Sequence, residues 1–201
     1  MKKLILNPEQ VIVPGEYELG SEAILKIYFR VFSRGLGGYL PPVIVAHRDF
    51  VDMSLNLGEL DISHINYGNR KTFYNNFNRI LQRAYDAGAE YFLLDGNHKS
   101  VSATLAGEPL SALEVQVDED IHKVKRMVET GELFDWPISG ETIDDIHAQL
   151  KDHLKYYLSH VQGIHLPGKT IDSIPLTVKE RVDLLVSNGD LPHYMIERYS
   201  K

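Results

Sequence analysis

The sequence predicts a mixed α/β fold with a helical C-terminal part, on three observations. Short continuous apolar runs at Val43-Ile44-Val45-Ala46 and Tyr91-Phe92-Leu93-Leu94 read as interior strands, because a strand covered on both faces loses its alternation. Between them Phe73, Phe77, Ile80, Leu81 and Ala84 recur at helical spacing. Past residue 117 the strand signals stop and only helical periods continue. The chain thus divides into a core over 1–117, with a small mixed sheet and flanking helices, and a helical extension over 118–201. A chain of 201 residues is long enough to bury a substantial core.

In order along the chain, Ser21 can cap a helix that runs to about Arg34 and stops at Gly35. Ile24, Ile27, Tyr28 and Val31 form one stripe on it, which Leu25, Phe29 and Phe32 widen. Pro41-Pro42 introduces the first interior strand. From Asp49 to Tyr67, Leu55, Leu57, Leu60, Ile62 and Ile65 suit either a hairpin or a packed loop. A helix follows over about 72–87, with Gly88 behind it, and then the second interior strand. Asp95-Gly96-Asn97 turns that strand into a helix of roughly nine residues, the spacing to its stop signal Gly107. Leu113, Val115 and Val117 alternate with Glu114 and Gln116, the pattern of a half-buried strand. Strand, short helix and strand in this order predict a βαβ-like unit. Beyond it, Ile121, Val124 and Val128 mark a helix ended by Gly131. Residues from Ile143 to Val161 mark a longer one ending near Gly163. Thr177-Val178-Lys179-Glu180 has capping-box spacing and opens a third, closed by Gly189.

Composition narrows the function classes. Cysteine is absent, which removes disulfides and thiolate metal sites. No apolar run has the length of a signal peptide or of a membrane span of ~18 residues, so a cytoplasmic protein with no membrane partner is expected. The net charge is −7 and the 21 basic residues are scattered along the sequence, which disfavours DNA as a partner.

The chemistry concentrates at Leu94-Asp95-Gly96-Asn97-His98-Lys99-Ser100. A helix N-terminus presents unpaired N–H groups and a partial positive charge, and so attracts phosphate. Gly96 permits the turn and a close approach of ligand to backbone. Asn97, His98, Lys99 and Ser100 add side-chain donors and charge at the same place. Asp95, ending a buried strand, can orient a donor or hold Mg²⁺. Read without a ligand, the same residues make a capped turn with a solvated His98-Lys99 pair.

Tyr91 to Ser100, continuing through Leu105-Ala106-Gly107 to Leu113-Glu114-Val115, resembles the ParB/sulfiredoxin superfamily. Its pattern is an apolar strand, Asp-Gly-His-His-Arg, a small-residue helix, Leu-Gly and a further strand. Val11-Ile12-Val13-Pro14-Gly15-Glu16, the helix ending at Gly35 and Pro41-Pro42-Val43-Ile44-Val45 follow in the order expected there. The free serine kinase branch is the most similar. It carries Pro-His-Glu where this chain has Pro14-Gly15-Glu16, and a helix closed by Gly-Glu-Leu-Phe, as at Gly131-Glu132-Leu133-Phe134. The matched stretches are about 10–46 and 91–134. Asn97 stands where the family has histidine, Lys99 where it has arginine, and its Thr-Thr-Arg-His segment has no counterpart in residues 135–142.

The resemblance implies a ParB/sulfiredoxin-like core and a nucleotide-dependent phosphotransferase that acts on a small hydroxyl-bearing, serine-like metabolite. ATP or ADP with Mg²⁺ would be the phosphoryl source, held at Gly96–Ser100. Glu16 and Asp95 would be catalytic, Glu16 taking the hydroxyl proton and Asp95 organising Mg²⁺. The alternative is a ParB-like nucleotide- or DNA-binding adaptor or nuclease-like module without small-molecule turnover, which calls for a helix-turn-helix or a basic face after residue 118.

Three rival signals carry less. Gly163-Ile164-His165-Leu166-Pro167-Gly168-Lys169-Thr170 satisfies the Walker A spacing, yet a helical pattern precedes it where a strand is required. His47-Arg48-Asp49 lacks the rest of a protein-kinase signature. His147, His153, His160 and His165 lack metal-ligand spacing.

Overall fold

Both apolar runs lie inside a five-stranded sheet, as their composition requires. The computed structural model describes residues 1–13, 19–56, 67–134, 139–163 and 176–200, with backbone alone for 67–73 and 156–163. In chain order the elements are β1 (Lys2–Leu6), β2 (Val11–Ile12), α1 (Glu22–Phe32), β3 (Val43–His47), α2 (Tyr67–Asp86) and β4 (Tyr91–Asp95). Then come α3 (Asn97–Ala106), β5 (Leu110–Val115), α4 (Asp118–Glu129), α5 (Ile143–Gly163), α6 (Val178–Asn188) and α7 (His193–Tyr199).

The strand order is β1-β5-β3-β4-β2. β3 is central, antiparallel to β4 and parallel to β5, while β2 adds to β4 in parallel and β1 closes the other edge antiparallel to β5. This corrects the expected βαβ-like unit. β4 and β5 flank β3 rather than each other and run in opposite directions, so α3 is not a crossover between parallel neighbours. Periodicity identifies strands but not which of them pair.

Alternation along the strands sorts the core into two layers. Ile44, Ala46, Phe92, Leu94, Leu113 and Val115 face one side, where Phe77, Ile80, Ile121, Ile146 and Leu150 from α2, α4 and α5 cover them. Val43, Val45, Leu93 and Ala112 face the other, under Leu25 and Phe29 of α1, Val101 and Leu105 of α3, Val182 of α6 and Met195 of α7. No helix among the described residues is long and apolar enough to cross a membrane.

Several local signals act as their chemistry predicts. The Ser21 hydroxyl accepts the Ile24 N–H at 3.3 Å and starts α1. Thr177 and Glu180 complete a capping box on α6. Two expectations change. The buried stripe of α1 is Leu25, Phe29 and Phe32, while Ile24 and Ile27 are exposed. Glu114 does not alternate outward: it is buried with its neighbours, because helices cover both faces of β5. β1 and α7 carry no sequence signal beyond short apolar spacing.

The acidic run at 118–120 is structural. Asp118 Oδ1 accepts the Ile143 N–H at 2.8 Å and caps the start of α5. Asp120 is buried, which by itself would raise its pKa, but bonds from Lys123, the N-terminal ammonium and the Gln116 N–H outweigh that and hold it at about 2.

Candidate functional site

β4 delivers Asp95 to the end of the sheet with a register slip. Ile44 faces Asp95 and Val45 faces Leu93, so Leu94 is an extra residue and the strand end is bent. Gly96 follows at φ 111°, ψ 33°, in the left-handed region that favours glycine. A Cβ there would come within 2.6 Å of Val43 Cγ1, so both the turn and the packing demand glycine. The Ser100 N–H then bonds the Gly96 carbonyl at 2.8 Å and α3 begins.

Its N-cap is glycine, which brings no side chain of its own to the first amides of α3. The N–H groups of Asn97, His98 and Lys99 have no hydrogen-bond partner among the described residues. They open at a cleft of about 450 Å³ lined by Asp95, Asn97 and His98, by Ile24 and Tyr28 of α1, and by Phe134 just after α4. Phe134 is two-thirds exposed and Ile24 nearly half, so one wall of the cleft is apolar. Tyr28 stays protonated above its ordinary range, through burial and the neighbouring Asp95.

His98 fastens the cleft. Its Nε2 takes the Ser21 N–H at 3.3 Å, so the ring proton sits on Nδ1 and the start of α1 is tied to the start of α3. Burial pushes its pKa below the usual histidine value. Only the neutral ring can accept that N–H, so the unfolded chain binds the proton more readily than the folded one. Stability is therefore full above the unfolded value of about 6.5 and is lost as pH falls through the lower folded value. Urea unfolding at pH 7.5 and 5.5 should show the wild type losing more stability across that interval than His98→Gln; equal losses contradict this assignment.

Two sequence expectations need correction. Lys99 does not present its ammonium to the cleft amides. Only 5 % exposed, it donates Nζ to the carbonyls of Pro42 at 2.8 Å and Pro41 at 3.3 Å, and lies 3.8 Å from Asp95 Oδ2. Burial lowers its pKa, partly countered by Asp95. Ser100 is fully buried and its hydroxyl donates back to the Asn97 carbonyl at 2.9 Å, so it offers no donor to a ligand. The helix spacing that seems to put Lys99 and Ser100 at the turn instead turns both toward the protein. What sequence reasoning missed are Ile24, Tyr28 and Phe134 as cleft walls; an apolar stripe on α1 wider than the core needed is the signal that hints at them.

Glu16 lies among residues 14–18, outside the described residues. Gly20, four positions later, lines the cleft. Asp95 offers a single carboxylate to a divalent cation, and the described residues contain no group of three metal-ligating side chains. Mg²⁺ commonly rests on one or two carboxylates completed by phosphate oxygens and water, so Asp95 fits as part of such a set, in competition with the Lys99 ammonium.

The rival motifs resolve structurally where they are described. α5 runs helical to Gly163, where a P-loop needs a strand, and residues 164–170 lie outside the described set. Asp49 N–H bonds His47 Nδ1 at 3.2 Å, and Arg48 stacks over the Tyr85 ring, which makes His47-Arg48-Asp49 a surface turn. His147 bonds the Asp52 carbonyl, and Asp145 caps the residues before α5.

No protein-family model, curated protein or solved structure matches this chain.

Proposed function

We propose that the cleft at the start of α3 receives the phosphates of a nucleotide, and that the protein is a nucleotide-dependent phosphotransferase with a ParB/sulfiredoxin-like core. The observation that carries this reading is the uncapped set of amides behind Gly96, a glycine enforced by both backbone angle and packing. Amides without a partner among the described residues, opening on a cleft, suit an anion better than any other occupant.

In this reading the Asn97 and His98 N–H groups bind terminal phosphate oxygens, and the Asn97 side chain and His98 Nδ1–H add neutral donors. Lys99 acts from behind. Its buried charge fixes Asp95 and the Pro41-Pro42 backbone rather than touching phosphate. Asp95 supplies the carboxylate for a Mg²⁺ that would neutralise phosphate charge and orient it. Glu16 takes the proton of a small metabolite's hydroxyl while that oxygen bonds to the terminal phosphorus and the bond to the departing nucleotide breaks.

The test is turnover. The protein is incubated with ATP or with ADP, Mg²⁺ and free serine or a pool of hydroxyl-bearing metabolites, and phosphorylated product is followed by mass spectrometry. Product should form and fall by two or more orders of magnitude in Glu16→Gln, in keeping with the loss of a general base. No product with either nucleotide, or full activity in Glu16→Gln, overturns the catalytic assignment.

A further inference from the structure

Three of the basic residues that are scattered along the sequence meet in space. Arg30 of α1, Arg34 in the turn that follows it and Arg198 of α7 converge on an open groove of about 630 Å³, away from the α3 cleft. Neither Arg30 nor Arg34 has an acidic partner among the described residues, and Arg198 reaches only the Ser33 carbonyl, at 3.2 Å. The groove lining includes one carboxylate, Glu197, whose Oε1 lies 3.3 Å from His193 Nδ1. Ser33 also lines it, with a hydroxyl closed to water and without a partner. Tyr194 stands at the edge, packed edge-on against Phe29 and 44 % exposed, which leaves ring surface to stack on. On a chain of net charge −7 this is an electropositive exception.

We infer that this groove binds a short single-stranded nucleic-acid segment, a function separate from the chemistry proposed for the α3 cleft. Arg30 near the end of α1 and Arg34 in the turn just after it both line the groove with Arg198, so three guanidinium groups face one strip of surface. Guanidinium groups grip phosphate through two parallel bonds, and an exposed tyrosine takes a base without reading its identity. A duplex keeps its bases paired and stacked on one another, so it offers Tyr194 no free base face. An acidic peptide would satisfy the arginines but gives Tyr194 nothing to stack on.

Fluorescence anisotropy of the full chain with a labelled ten-nucleotide oligo(dT) tests this, beside a duplex of equal length and a labelled decaglutamate. Three phosphate contacts predict a log–log salt slope of about −2 for a single strand. Arg30→Gln/Arg34→Gln, which changes two exposed side chains, should weaken binding at least tenfold and flatten the slope by about 1.4. Tyr194→Leu should cost about fivefold or more with the slope unchanged. Decaglutamate should bind more weakly and ignore Tyr194→Leu. Absence of oligo(dT) binding at 50 mM salt, indifference to the arginine pair, or preference for duplex or decaglutamate would each overturn the inference.

Discussion

Gly96→Ala is expected to lower stability by about 3–5 kcal/mol and to remove phosphate binding at the cleft. Two costs add. A side chain at φ 111° is strained by roughly 1–3 kcal/mol. A methyl group 2.6 Å from Val43 Cγ1 and 3.0 Å from its Cβ must also displace β3 or tilt α3, adding about 2 kcal/mol of overpacking. At this chain length, that total lowers the melting temperature by about 6–20 °C. Val43→Ala removes the 2.6 Å contact but not the 3.0 Å one, so on a Val43→Ala background Gly96→Ala should cost less than in wild type while the backbone part remains. A Gly96→Ala protein that melts within 2 °C of wild type would show that the turn is not as tight as described.

The second large effect is at Lys99. Lys99→Ala should destabilise by about 3–5 kcal/mol, since it strands the Pro41 and Pro42 carbonyls around an emptied, buried position. Lys99→Met keeps the stem and should recover part of that loss. The two readings of this lysine separate on binding. If the ammonium fixes the turn from behind, Lys99→Met, assayed at low temperature where it is folded, binds pyrophosphate within about fivefold of wild type. A lysine in contact with phosphate instead loses affinity by an amount typical of a charge-assisted bond, about tenfold or more. Stability therefore falls hard while affinity barely moves.

That division marks where the sequence was legible. Strands buried on both faces announce themselves by unbroken apolar runs, and β3 and β4 lie where those runs are. Caps at Ser21 and Thr177 and glycine stops at 35, 107, 131 and 189 are local chemistry, and they hold. What failed depends on distant partners. Leu25, Phe29 and Phe32 rather than Ile24 and Ile27 are buried because α3 lies against that side, where Ser102 reaches the Leu25 carbonyl at 3.2 Å. Two overlapping apolar stripes gave no means to choose. Glu114 was expected outside because alternation assumes one wet face, which this sheet lacks. Lys99 looked like a ligand-binding charge because nothing local reveals two proline carbonyls from 57 and 58 positions upstream. The turn was visible in Asp95-Gly96-Asn97, while the direction of each side chain leaving it was set by tertiary packing. The same blindness hid the groove arginines, which are 164 positions apart from Arg34 to Arg198 and meet only in the fold.

The central claim is that the first amides of α3 hold phosphate. Titrating isotope-labelled protein with pyrophosphate, then with ADP, while following backbone amides by nuclear magnetic resonance tests it most directly. The Asn97 and His98 N–H resonances should move furthest and saturably, with Gly96 and Lys99 close behind, and should not move in Gly96→Ala. Resonances that stay still at 97–99 while others shift, or that shift nowhere, would contradict phosphate binding at this turn.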